Sequence, residues 1–299
     1  AGTGLGTMGG NKLNIMLVNN SYWTNIVSED ELNKLRKETA NYNNLNEFFL
    51  FLTDALKNDS HNLYLLFERF EIIYRNKHYH NFINNLLANN YETVIYDTLC
   101  LIYTFSNLVK KIYNIESADL YELTYYEVER KFMNIYYNYI YKTIESKIKD
   151  QLTIYNKNLK NIHENIGLYK CRKILDVKEL FMYRFDFKLY IDMFESIQLL
   201  TCSSDKLMQI LEIFKILHKD IELEFNNDNI TADILLPLVC MIIIKSNIEN
   251  LPIEIEYIGL LTENFIEDGE YGYTYAIIKS AISIIIDFEK LVDKYNSNR

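Results

Sequence analysis

Glycine and proline are nearly missing from this sequence. Five of its nine glycines fall in the first ten residues, AGTGLGTMGG, and residues 1–10 read as an expression remnant to be set aside. From Asn11 onward only Gly167, Gly259, Gly269 and Gly272 remain, with Pro237 and Pro252. Strands in series need turn chemistry every ~8–12 residues, and the chain has almost none. Long helices joined by short polar connections fit, so the predicted fold class is all-α. Cysteine is also sparse. Cys100, Cys171, Cys202 and Cys240 are scattered without a pairing pattern, which reads as a reduced, intracellular protein.

Long apolar runs and basic clusters are missing too. The longest apolar run is Ile234–Ile244, about 16 Å of helix at ~1.5 Å per residue. A membrane span needs roughly 18–20 residues, so no transmembrane segment is expected, and no secretory signal is visible. No helix carries the basic face that binding to a membrane surface requires. With a net charge of −10 and no Lys/Arg cluster longer than two, a nucleic-acid partner is excluded.

The motifs of bond-breaking chemistry do not occur. The chain has no Gly-rich phosphate loop, G-x-S-x-G elbow or H-E-x-x-H. His78 and His80 in KHYHN have no Cys or carboxylate beside them at ligand spacing and read as solvated loop residues. His61, His163 and His218 are isolated. Neither a metal nor a cofactor is expected.

Helical periodicity is what the sequence does contain. Leu45, Phe48, Phe49, Leu52, Ala55 and Leu56 recur at i, i+3, i+4 spacing, as do Leu63, Leu66, Phe67, Phe70, Ile73 and Tyr74. Residues 128–148 form a long segment, followed by Phe187, Tyr190, Ile191, Phe194 and Ile197. A further helix starts at the capping cluster Ser203–Asp205 and continues through Leu207, Ile210, Leu211, Phe214, Leu217 and His218. Polar breaks fall near residues 58–62, 76–81, 114–119, 155–165 and 226–229. The expected division is an N-terminal helical region at 11–115 and a second domain at 116–299.

One stretch departs from the amphipathic rule. The centre of TADILLPLVCMIIIKSN, residues 231–247, is apolar on every side. Such a helix is either a buried core element or one with a face kept for a partner. Thr231 or Asn229 can cap it, which places Asp233 in the first turn, where the helix dipole favours a carboxylate. Pro237 lies too deep for the free first-turn position. It removes the amide that would bond the Asp233 carbonyl, so the helix should bend or loosen there, with Asp233 at a solvent-facing end. A first-turn aspartate is also commonplace without any role. The second apolar helix follows EDGEYGYTYAIIKSAISIII. Gly269 and Gly272 supply turn conformations, and Tyr273, Ala276, Ile277 and Ser280 share a face. That face suits ordinary helix packing or the floor of a shallow groove.

Taken together these residues resemble the Vps-nine domain of guanine-nucleotide exchange factors for Rab-five-type small GTPases. The family pattern appears as Ala232-Asp233-Ile234-Leu235-Leu236-Pro237, Asn247 with Leu251, Tyr257-Ile258, and Gly269-Glu270-Tyr271-Gly272-Tyr273. Upstream, SSDKLMQILEIFKIL is similar to a helix of the domain, and EVERKFMNIYYNYIY to its opening helix, so the resemblance covers about residues 127–290. Four positions depart from the pattern. Ala276 stands where a threonine is usual, Thr274 where an aromatic is common, and Asn247-Ile248-Glu249 replaces an Asn-Pro-Pro turn.

The resemblance implies a layered helical domain preceded by a helical bundle. It also implies GDP/GTP exchange on a small GTPase rather than bond chemistry. Asp233 matches the family aspartate that enters the emptied nucleotide site, Tyr273 the tyrosine that contacts the GTPase switches, and Pro237 the proline that shapes the helix beside Tyr273. Leu236, Cys240, Met241, Ala276 and Ile277 are expected as walls of the GTPase-binding groove. The implied setting is endosomal traffic, with a cytoplasmic protein recruited to endosomal membranes. The alternative is a helical scaffold, or pseudo-exchange factor, that binds a GTPase without emptying it.

Overall fold

A computed structural model of the chain describes residues 27–37, 44–83, 91–225, 230–262 and 269–299. Among the described residues there is no strand, and fourteen α-helices make up the architecture. They group into two compact units that part between Thr143 and Ile144, inside one long helix. The expected division near residues 114–119 falls at the turn before that helix.

The N-terminal unit contains α1 (Glu29–Arg36), α2 (Leu45–Lys57), α3 (Asn62–Ile83), α4 (Tyr91–Ile112) and most of α5 (Ala118–Lys147). Local chemistry sets the helix starts. The Ser28 hydroxyl accepts from the Glu31 amide at 3.3 Å and Asn44 Oδ1 from the Asn46 amide at 2.9 Å, each filling one orphan donor of a first turn. On α2 the buried side chains are Phe48, Leu52, Ala55 and Leu56, while Leu45 and Phe49 lie at the exposed margin of the stripe. Aromatic rings fill the interior, with Phe105 edge-on to Phe67 and Phe70 at 5.1 and 5.4 Å. Asn114, at φ 49°, makes the left-handed turn between α4 and α5.

Two expectations fail in this unit. The polar break at residues 76–81 does not exist, because α3 continues to Ile83. His78 is not a solvated loop residue either. It is 4% exposed, and its Nε2 donates to Asp97 Oδ2 at 2.8 Å, where Lys77 Nζ also pairs at 2.8 Å. The side chain of His80 lies outside the described residues.

The second unit holds the last turn of α5 and the helices α6 (Lys149–Asn161), α7 (Leu168–Leu175), α8 (Glu179–Arg184), α9 (Phe187–Ser196), α10 (Ser203–Phe225), α11 (Ala232–Ser246), α12 (Leu251–Leu261), α13 (Gly269–Ile286) and α14 (Phe288–Ser297). The polar stretch at 155–165 is helical to Asn161, then widens into a π turn at Ile162–Ile166. Gly167, at φ 82°, ends it. The break expected at 226–229 lies outside the described residues.

At the centre is α11. Leu235 and every residue from Leu238 to Ile244 are buried, enclosed by α7, α9 and α13. An all-round apolar helix needs neighbours on all sides, and this one has them beyond its first turn. Each such side chain contributes about 1.5–3 kcal/mol of burial. Asn247, at φ 54°, ends the helix, and Pro252 opens α12, where an amide is not needed.

Candidate functional site

Which ends of α11 and α13 lie together follows from α6 and the π turn behind it. Asn158 Nδ2 donates to the carbonyls of Ile285 and Ile286, at 2.8 and 2.9 Å, and so satisfies the last turn of α13. Five residues on, His163 Nε2 donates to the Ile244 carbonyl at 2.7 Å near the end of α11. Both helices therefore finish against one segment and run in the same direction. The Cys240 thiol lies 3.9 Å from the Ala281 carbonyl and sets the register between them. Seven residues back along each helix are Asp233 and Thr274, both about 10 Å from the contact at ~1.5 Å per residue. Asp233 and Tyr273 thus lie level, at the end of the pair away from α6.

Asp233 sits in the first turn of α11 and is exposed. Among the described residues no hydrogen bond or ion pair holds its carboxylate. Thr231 occupies the capping position with extended geometry (φ −89°, ψ 164°), yet its hydroxyl makes no capping bond. Its carbonyl accepts from the amides of Ile234 and Leu235 at 3.1 and 3.0 Å. Asn229 lies outside the described residues. The first turn therefore has no cap from the Thr231 side chain, and it carries a carboxylate where the helix dipole favours one. Pro237 is half-buried, and α11 stays helical through it, so the expected loosening does not break the helix. Its missing amide leaves the Asp233 carbonyl without an intrahelical donor.

On α13 the glycine at the start has the conformation its place requires, with Gly269 at φ 76°. Tyr273 is 40% exposed, and Ala276 and Ser280 are exposed in line with it. Ile277 turns inward at 6% exposure. The groove walls proposed from spacing accordingly separate into two sets. Leu236 is half-exposed and Ala276 exposed, on neighbouring helices. Cys240 and Met241 are fully buried and, with Ile277, face core rather than solvent, so they give a partner no surface here. Helical spacing predicts which residues share a face. It does not predict how many neighbours close over that face.

Two close approaches hold α13 in place. Tyr275 lies over Gly259 of α12, where a Cβ would overlap its hydroxyl, and that hydroxyl donates to the Ile255 carbonyl at 3.5 Å. His218 of α10 packs beside Tyr273, ring centroids 6.4 Å apart and planes at 40°. From the sequence alone His218 reads as isolated. Its position four residues after Phe214, on the edge of a buried stripe, was the available signal. Burial also raises the thiols behind the site, with Cys171 pushed up to about 12 and Cys240 further. Among the described residues no group of His, Cys, Asp and Glu is placed to hold a metal ion, and no helix is long and apolar enough to cross a membrane.

Residues 187–290, from the start of α9 into α14, match the family model described as the vacuolar sorting protein 9 (VPS9) domain. No curated protein matches the chain.

Proposed function

Residues 187–290 carry a VPS9 domain, the domain of Rab-five-type exchange factors, and on that premise we propose that this chain discharges nucleotide from a Rab-five-type GTPase. The observation that carries the proposal is the exposed carboxylate of Asp233, unpaired among the described residues and level with the exposed ring of Tyr273 on a neighbouring helix that runs the same way.

An exchange factor must bind the nucleotide-free GTPase more tightly than the loaded one, since equal affinity shifts nothing. The nucleotide site of a small GTPase holds a P-loop lysine that pairs with phosphate. Asp233 pairs with that lysine once the phosphates leave and repels them while they stay. Among the described residues its carboxylate has no partner, so no bond to them must break first. Tyr273 packs on the switch regions, with Leu236, Pro237 and Ala276 around it. The protein acts in the cytoplasm and reaches endosomal membranes through partners.

The second reading is a scaffold that binds the GTPase whatever its nucleotide. Ala276 favours it, because this exposed position presents a methyl where the family pattern has a hydroxyl. Release of a fluorescent guanine nucleotide from a panel of Rab GTPases separates the two. Acceleration confined to Rab-five relatives, and nearly abolished by Asp233→Ala in a folded chain, is the expected result. Binding without acceleration replaces it with the scaffold. Wild-type rates in the Asp233→Ala variant sink the assignment of that residue.

A further inference from the structure

Tyr273 is a large, two-fifths exposed ring for which no hydrogen bond fixes the phenol among the described residues. A side chain of that kind needs a neighbour to define its orientation, and the structure supplies one from a third helix. On α10, which packs against α13, Leu211, Phe214, Leu217 and Ile221 form a buried stripe. His218 follows Leu217 and stands at the rim of that stripe, half-buried. Its ring centroid lies 6.4 Å from that of Tyr273 with the planes tilted by 40°, within the range of aromatic pairs. The contact lies at the end of α13 level with Asp233, away from the segment that fastens both helices.

We propose that His218 is a positioning residue. Its imidazole backs the Tyr273 ring and holds it in the orientation shown to the GTPase, so the recognition surface extends from α11 and α13 onto α10. This rests on the exchange-factor reading for its consequence, but not for the contact itself. A ring already held in place loses less freedom on binding, and that preorganisation is what His218 contributes.

The test uses the full chain with His218→Gln, which removes the ring at similar length, and His218→Phe, which keeps a ring. Circular dichroism and the melting midpoint establish that each is folded. Two quantities are read: the NMR resonances of the Tyr273 ring, identified through Tyr273→Phe, and kcat/KM for nucleotide release. His218→Gln should shift the Tyr273 ring signals and lower kcat/KM by about three- to tenfold. His218→Phe should restore most of both. Unchanged ring signals in folded His218→Gln overturn the proposal whatever the release rate. Moved ring signals with an unaltered rate, where the wild type does accelerate release, overturn the positioning role and leave the exchange function standing. If the wild type accelerates release from no GTPase, the exchange function falls, and the ring signals still decide whether His218 holds Tyr273.

Discussion

Lys206 and Glu254 form an ion pair of 2.5 Å with both side chains shut off from water, at 0% and 2% exposure. The ammonium also donates to the Ile197 carbonyl at 3.0 Å, and its nitrogen lies 5.7 Å from the centre of the Tyr257 ring. The pair thus ties the start of α10 to the first turn of α12. Burial pulls the Lys206 ammonium below its ordinary value, and the Glu254 carboxylate opposes that pull. Lys206→Met leaves a buried carboxylate without its cation and should cost about 3–5 kcal/mol in chemical denaturation. The double variant Lys206→Met with Glu254→Leu should recover most of the loss, since a packed apolar pair of similar volume carries no unpaired charge.

Gly259→Ala sets helix propensity against space. Alanine gains about 1 kcal/mol of propensity in a helix. Its methyl must also displace the Tyr275 ring from the surface of α12, and overpacking of this kind costs about 1–3 kcal/mol. The net expectation is a lower unfolding midpoint, partly restored when Tyr275→Phe removes the overlapping hydroxyl. A midpoint above wild type would show that the ring moves aside freely.

Reactivity of the cysteines offers a probe of native packing. All four are buried, and burial pushes the Cys171 thiol up to about 12, far from the thiolate form at neutral pH. A disulfide-exchange reagent at pH 8 should find no fast-reacting thiol in the folded chain and four after denaturation. A fast-reacting thiol in the native state would place at least one side chain at the surface.

Alkaline pH should unfold the protein cooperatively. Burial raises Tyr121 from 10.0 to about 12 and moves Tyr74, Tyr125, Tyr136, Tyr155 and Tyr190 in the same direction. The folded chain therefore keeps phenol protons that the unfolded chain gives up. The stability this supplies is whole below about pH 10 and is lost as the pH rises through about 12. Tyrosinate absorbance should lag an unfolded control and then rise together with loss of helical circular dichroism. Smooth ionisation near pH 10 with the helices intact would contradict the burial.

Much of the architecture was legible because helical spacing is local. The stripes of α2, α3, α9 and α10 and the apolar run of α11 could be read from neighbours three and four residues apart. What escaped depends on partners distant in sequence. His78 looks solvated in KHYHN until Asp97, nineteen residues on, arrives from α4. Cys240 and Met241 look like groove walls until α7, α9 and α13 surround them. His218 looks isolated until α13 brings Tyr273 beside it. The motif around Asp233 was visible from spacing, but its level placement with Tyr273 needed the contacts made by Asn158 and His163.

Those two residues have a mechanical consequence. Asn158 and His163 clamp α13 and α11 at one end from a single short segment, so the pair resembles two prongs set in one handle. From that base α11 is walled in by α7 and α9, and α13 by α10 and α12, so neither prong is free to swing. Fixed at the base and packed along their length, the two helices hold Asp233 and Tyr273 at a constant spacing and a constant aim. Asn158 and His163 thereby brace, from the far end, the helices that present that surface.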